Sequence, residues 1–204
     1  MLQKKAKTLN SKQLDLLLHS LTKTRHPLRN RMVFLLSFKQ GMRAKEIASL
    51  KWSMVTDAQG NLLDHINLPN TASKGKTSGR MIPLAKQTLE TLMQLHQARS
   101  TKGSQLQIKS STSDFVITTE RSPSTSPTAI VNLMKTIFIQ NNLDGCSSHS
   151  GRRTAITNWA RKITEAGGSL KDVQQLAGHS ALSQTQGYID QSPAAQRKLI
   201  SLLS

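Results

Sequence analysis

Residues 61–84 read NLLDHINLPNTASKGKTSGRMIPL, and this stretch decides the fold class. Leu63, Ile66 and Leu68 alternate along Asn61–Asn70, SKGKTSG is a polar glycine-containing turn, and Arg80–Leu84 returns as a second strand. That pattern predicts a β-hairpin. Everything around it has helical periodicity. Ser11 is placed to cap a helix reaching Leu21, with Leu14, Leu17, Leu18 and Leu21 as its apolar stripe. A second helix over 28–40 carries Met32, Val33, Leu35 and Leu36 and stops at Gly41, a natural left-handed terminator. A third starts near Arg43 and turns Ile47 and Leu50 inward. Beyond the hairpin, a helix is expected over 85–99, a Ser/Thr/Lys/Gln-rich surface loop over 100–114 and a short strand in DFVITT, 114–119. Further helices follow near 126–141, 149–164, 169–177, 181–189 and 193–203. The expected architecture is mainly α with a small antiparallel sheet (α+β): a basic extension over 1–10, one domain over 11–204, and no separate N-terminal helical domain.

The chain carries 28 Lys+Arg against 11 Asp+Glu in 204 residues, a formal charge of +17. Such an excess favours a polyanion, most often nucleic acid. Aromatic residues make up 3% of the chain, too few for rows of base-stacking platforms, so duplex DNA gripped by its phosphates is the better expectation than a single strand. A ribosome-type basic protein shares the charge but needs no ordered set of reactive residues. Cys146 is the only cysteine, which excludes a disulfide framework and points to a small packed side chain. No apolar run approaches membrane-spanning length and the basic start lacks a signal-peptide core, so a reducing, DNA-containing cytoplasmic compartment is expected.

Four short contexts concentrate chemistry: GMRAKEIASLKW, ASKGKTSGRMIPL, HSGRRTAITNWA and LAGHSALSQTQGYID. Arg43 opens a helix with Glu46 and Ile47 on its face, so Glu46 is placed to orient the guanidinium. His149 and Arg152, three apart, share the face of a helix start that Ser147 or Ser148 would cap, where backbone amides add positive potential. Ala155, Ile156, Trp159 and Ala160 continue as the buried stripe, which sets Arg152 at the core's edge. His179 follows Gly178 and precedes Tyr188, the only tyrosine, by nine residues. Each residue also has a plain reading: a solvated arginine, a capping histidine, a turn lysine, a half-buried tyrosine. With so few carboxylates available, ordinary ion pairing for Arg152 is disfavoured. The polar neighbours Gln184, Gln186 and Asp190 predict an accessible tyrosine hydroxyl rather than a greasy pocket.

In this order the four contexts resemble the catalytic domain of the tyrosine recombinases, the phage-integrase family. The family pattern is an Arg in a G-[LM]-R-x-x-E-[IL] helix, a hairpin Lys before an R-x-[IV]-P-L strand, then H-x-x-R, G-H and Tyr. Here these are Gly41-Met42-Arg43, Glu46-Ile47, Lys74, Arg80-Met81-Ile82-Pro83-Leu84, His149-Ser150-Gly151-Arg152, Gly178-His179 and Tyr188, over about residues 10–203. One such element is a weak signal, and five in order are strong. The resemblance implies the recombinase catalytic-domain fold and a site of Arg43, Lys74, His149, Arg152, His179 and Tyr188. Lys74 is preferred to Lys76 because it begins the turn.

It further implies site-specific cutting and rejoining of duplex DNA through a 3′-phosphotyrosine, with no ATP or divalent metal required. A homotetramer joined through the amphipathic C-terminal tail (Leu199, Ile200, Leu202, Leu203) would act on paired sites, although the same stripe would equally serve a helix packed on its own core. Competing readings are a type IB topoisomerase-like relaxing enzyme and a non-catalytic DNA-binding accessory protein. Position 151 is Gly where the family usually has an apolar residue, which predicts looser packing beneath Arg152.

Overall fold

The computed structural model describes residues 6–72, 79–105 and 114–189, together with Arg197, Ile200 and Ser201. Among the described residues, ten α-helices and strands follow in chain order: α1 (Ser11–Ser20), α2 (Pro27–Phe38), α3 (Ala44–Ala48), β1 (His65–Leu68), β2 (Arg80–Pro83), α4 (Lys86–Gln105), α5 (Pro127–Gln140), α6 (Ser150–Lys162), α7 (Leu170–Ala177) and α8 (Leu182–Gln186). The expected α+β class is what the chain forms, mostly helical with one two-stranded sheet.

Helix α2 is the centre of the domain. Met32, Val33, Phe34, Leu35, Leu36 and Phe38 are all buried, because this helix is apolar on nearly every side and other elements pack around it. Phe34 stacks near Phe38 at 6.1 Å, and Phe138 of α5 meets Phe34 edge-on at 5.7 Å, an arrangement that aromatic quadrupoles favour. The helix ends where Gly41 takes φ 62° and Met42 N–H donates back to the Leu36 carbonyl at 3.0 Å. A Cβ at position 41 would also lie 2.7 Å from Cη2 of Trp159 on α6, so glycine answers both the backbone angle and the close approach.

Strands β1 and β2 pair antiparallel with Ile66 opposite Ile82 and Leu68 opposite Arg80. Ile66, Leu68 and Ile82 are buried, whereas Met81 points outward, as the two-residue period of a strand requires. The hairpin is therefore present at the predicted place. Its turn, with Lys74 and Lys76, lies outside the described residues.

Some local expectations are corrected. Asn10, not Ser11, caps α1: its Oδ1 accepts from Gln13 N–H at 2.9 Å while Gln13 Oε1 accepts from Asn10 N–H at 3.0 Å. DFVITT forms no strand. Only an isolated bridge joins Phe115 to Lys51, because the partner segment leaves at once into a 3-10 turn at Trp52–Met54 and no ladder can extend. Val116 and Ile117 are buried there all the same. Helix α4 runs on to Gln105, past the expected end at 99.

The glycine at 151 acts opposite to expectation. A Cβ there would overlap Ser37 Oγ and stand 2.8 Å from Ser37 Cβ and 2.9 Å from Phe38 Cδ2. Packing beneath Arg152 is tight rather than loose, and glycine is what lets α6 approach α2 so closely.

Candidate active site

Arg43 sits at the N-cap of α3, where Glu46 organises it from two sides. Glu46 Oε2 accepts from Arg43 N–H at 2.8 Å and Oε1 from Arg43 Nη1 at 2.9 Å. Glu46 itself is fully buried. Burial raises its carboxyl pKa, but hydrogen bonds and charge from Arg80, followed by those from Arg43, outweigh that and hold it below the usual carboxylate range. The predicted orientation of Arg43 by Glu46 is thus seen directly. Arg80 joins the same carboxylate.

Arg152 projects from the first turn of α6 into the interior and is 3% exposed. Nη1 donates to the Gly41 carbonyl at 2.6 Å, and Nη2 donates to the Ala177 carbonyl at 2.7 Å. These carbonyls lie at the chain reversal after α2 and on the last residue of α7, so the guanidinium is fixed by backbone rather than by a carboxylate. Burial, then the neighbouring charge of Arg43, pushes its pKa down to about 10, which still leaves it charged at neutral pH.

His179 follows Gly178, the left-handed residue that terminates α7 at φ 63°. Its Nε2 lies 2.9 Å from Arg152 Nη2 and its Nδ1 lies 2.9 Å from Thr185 Oγ1. A guanidinium can only donate, so Nε2 must accept and the proton rests on Nδ1, donated to the threonine hydroxyl. Burial, reinforced by Arg152, Arg43 and Arg80, pushes the His179 pKa down to about 4. The ring is therefore neutral at physiological pH.

A stability prediction follows from that depression. The unfolded chain binds a proton at 179 near pH 6.5 and the folded chain only near pH 4. This contribution is present above about pH 6.5 and is lost as pH falls toward 4. Unfolding free energies measured across that window should drop more steeply for wild type than for His179→Asn, and the His179 imidazole resonance should not titrate above pH 5. A ring that titrates near pH 6.5 in the folded protein would refute the assignment.

Tyr188 stacks on His179, with ring centroids 5.3 Å apart and planes 25° from parallel. The turn after α8 places it: Tyr188 N–H donates to the Thr185 carbonyl, and the Tyr188 carbonyl accepts from Thr157 Oγ1 at 3.0 Å. Its ring also packs on a small apolar cluster of Ile156, Val173 and Ala177. The expected absence of a greasy pocket is corrected in that respect: Gln184 and Gln186 are exposed, with Gln184 Nε2 donating to Ser180 Oγ at 3.2 Å, and Asp190 lies outside the described residues. The Arg153 guanidinium lies 5.9 Å from the tyrosine ring. A cleft of about 410 Å³ opens beside the tyrosine, lined in part by Lys7, His149 and Arg153.

His149 is the exposed N-cap of α6. The His149 side chain makes no cap hydrogen bond, whereas Ser147 serves the helix entry as expected: its hydroxyl accepts from His149 N–H at 3.3 Å and its carbonyl from Ser150 N–H, while Ser150 Oγ accepts from Ser147 N–H at 2.9 Å. The fold thus gathers Arg43, Arg152, His179 and Tyr188 around one point, with His149 on the rim of the tyrosine cleft. Sequence reasoning missed Thr185, which holds His179, and the buried contacts of Arg80. Thr185 had no signal of its own, whereas Arg80 stood inside a quoted motif.

The family model described as the phage integrase family matches residues 7–195, and the chain belongs to that family. Among curated proteins, tyrosine recombinase XerC of Alcanivorax borkumensis is 26% identical over 184 residues, covering 89% of this chain and 55% of the relative. The fold is shared with the crystal structure of XerA recombinase, at a TM-score of 0.71 and 18% identity over 96% of this chain and 63% of that one. It is shared too with the Tn1549 transposon integrase in complex with a circular intermediate DNA, at a TM-score of 0.73 and 16% identity over 99% of this chain and 67% of that one. The chain therefore spans little more than half the length of its curated relative. Among the described residues, no helix is long and apolar enough to cross a membrane.

Proposed function

We propose that this chain is the catalytic part of a site-specific recombinase that cuts and rejoins duplex DNA through a covalent 3′-phosphotyrosine. One observation carries the reading: the Tyr188 ring is stacked on a histidine that is hydrogen-bonded to a buried, charged arginine. Tyr188 Oη attacks the scissile phosphorus, the phosphorus–5′-oxygen bond breaks, and the 5′-hydroxyl leaves. The reverse reaction with a different 5′-hydroxyl completes strand exchange, so bond energy is conserved in the protein–DNA link.

Arg43 and Arg152 stabilise the charge that builds on the non-bridging oxygens. His179 joins them by moving its proton to Nε2, with the Thr185 hydroxyl then donating to Nδ1. His149, at the cleft, receives the phenol proton as Tyr188 attacks. Lys74 protonates the departing oxygen. The net charge of +17 supports a duplex-DNA partner held through its phosphates. The C-terminal tail joins protomers into a tetramer on paired sites: Ile200 is 67% exposed, which fits a partner's surface better than the chain's own core.

The test is a pool of duplexes of randomised sequence, each nicked just 3′ of a candidate cleavage position so that the short 5′-hydroxyl fragment diffuses away. Wild type should become covalently attached to a subset of sites, and Tyr188→Phe should form no adduct. Wild type that binds duplex but yields no adduct from the whole pool would defeat the reading.

A further inference from the structure

Arg80 is a second buried arginine beside the site, separate from the groups proposed to meet the phosphate. It lies on β2 and is 4% exposed. Its Nε donates to the Leu176 carbonyl at 2.9 Å, while Nη1 and Nη2 donate to Glu46 Oε1 and Oε2 at 3.1 and 3.2 Å. Leu176 stands two residues before Gly178. A Cβ at Gly178 would lie 2.7 Å from Arg80 Nη1 and 3.1 Å from its Cδ and Cζ, so the turn that presents His179 rests directly on this guanidinium. Glu46 in turn holds Arg43 by both its backbone and its side chain. One planar group therefore touches the hairpin strand, the carboxylate that aims Arg43 and the turn that aims His179.

We propose that Arg80 is a positioning residue that registers strand β2 against Arg43 and the turn bearing His179, so that Arg43 and His179 reach the scissile phosphate together. This rests on the reading given under Proposed function. Arg80 need not meet the DNA: its fork is turned onto Glu46 and its Nε onto α7. The geometry calls for arginine in particular. Three donors in one plane span two carboxylate oxygens and a carbonyl, which the tetrahedral ammonium of lysine cannot do at once. Charge adds a second effect. Arg152, Arg43, Arg80 and Glu46 surround His179 alongside the Thr185 hydroxyl and the Tyr188 ring, and the positive members oppose protonation of the imidazole.

The experiment uses the full chain with Arg80→Met and Arg80→Lys, and reads three quantities: single-turnover adduct formation on the nicked pool, duplex affinity, and the His179 imidazole resonance against pH without DNA. Arg80→Met should lower adduct formation ~10²-fold, the scale expected of a displacement of about 1 Å, with affinity within about twofold. Its His179 should titrate at higher pH than in wild type. Arg80→Lys should leave that titration near wild type yet still lower cleavage ~10-fold, because it keeps the charge and loses the fork.

Wild-type cleavage by either variant would overturn the proposal, as would an unchanged His179 titration in Arg80→Met. Should Arg80→Met fail to unfold cooperatively, Arg80→Lys decides alone: slow cleavage beside a normal His179 titration supports the proposal, and normal cleavage ends it. If wild type itself forms no adduct, the functional reading falls. The DNA-free titration then still tests whether Arg80 shapes the His179 turn.

Discussion

Replacing Arg152 by lysine is expected to lower single-turnover cleavage ~10²–10³-fold, the scale of losing a preorganised donor at a developing oxyanion. The substitution keeps a positive charge, so the expected loss is one of geometry. Arg152 reaches the Gly41 carbonyl, the Ala177 carbonyl and His179 Nε2 simultaneously, at 2.6, 2.7 and 2.9 Å. A single ammonium cannot span those three points in one plane. The environment also acts on the replacement. Burial and the charge of Arg43 already push the arginine down to about 10. A lysine begins near 10.4, so the same depression carries it toward neutrality. The residual activity of Arg152→Lys should therefore rise as pH is lowered, while wild type shows no such dependence on residue 152. Rates on the nicked pool between pH 6 and 9 decide the matter, and a variant cleaving at the wild-type rate would show that the buried guanidinium is a structural strut only.

Gly151→Ala should destabilise the fold by about 2–3 kcal/mol, a typical cost of forcing volume into a closed contact. At about 2–4 °C per kcal/mol for a chain of this size, the melting temperature should fall by roughly 4–12 °C. The added methyl would overlap Ser37 Oγ and press on Ser37 Cβ and Phe38 Cδ2, which belong to the central helix and cannot swing away like a surface side chain. Cleavage should weaken as well, since α6 bears Arg152 and α2 leads into the Gly41 carbonyl that receives it. The companion substitution has the opposite sign. Among the described residues, Ser37 Oγ is buried with no hydrogen-bond partner, so Ser37→Ala should stabilise by about 1 kcal/mol by removing an unsatisfied group. The double variant should lose less than the sum of its parts, because the two positions share one contact. Thermal unfolding of the four proteins closes the cycle, and a Gly151→Ala protein within about 0.5 kcal/mol of wild type would remove the steric account.

The helices and the hairpin were legible because their periodicities are local. Leu14, Leu17 and Leu18 recur at helical spacing, and Ile66 and Leu68 alternate at strand spacing, whatever they pack against. Arg43 with Glu46 was legible for the same reason, since three residues along a helix is a fixed distance. DFVITT misled because its apolar run is buried without a ladder, and periodicity reports burial before it reports pairing. Asn10 was overlooked as a cap because the adjacent serine offers the same chemistry one residue later.

The linear order of Arg43, His149, Arg152, His179 and Tyr188 determined the family by itself, and the charge excess determined the preference for a polyanion that the proposed DNA partner would satisfy. Only the three-dimensional arrangement decided that Arg152 is held by carbonyls, that His179 is neutral with its proton on Nδ1, that Gly151 marks a close helix crossing and that Arg80 ties β2 to α3 and α7. Those features join residues up to 114 positions apart, as Gly151 and Ser37 are, and a contact across such a span depends on the course of the whole chain between them. Reactive side chains announce themselves by type and spacing, whereas their supports are ordinary carbonyls, a hydroxyl and missing methyl groups that acquire meaning only through what lies beside them.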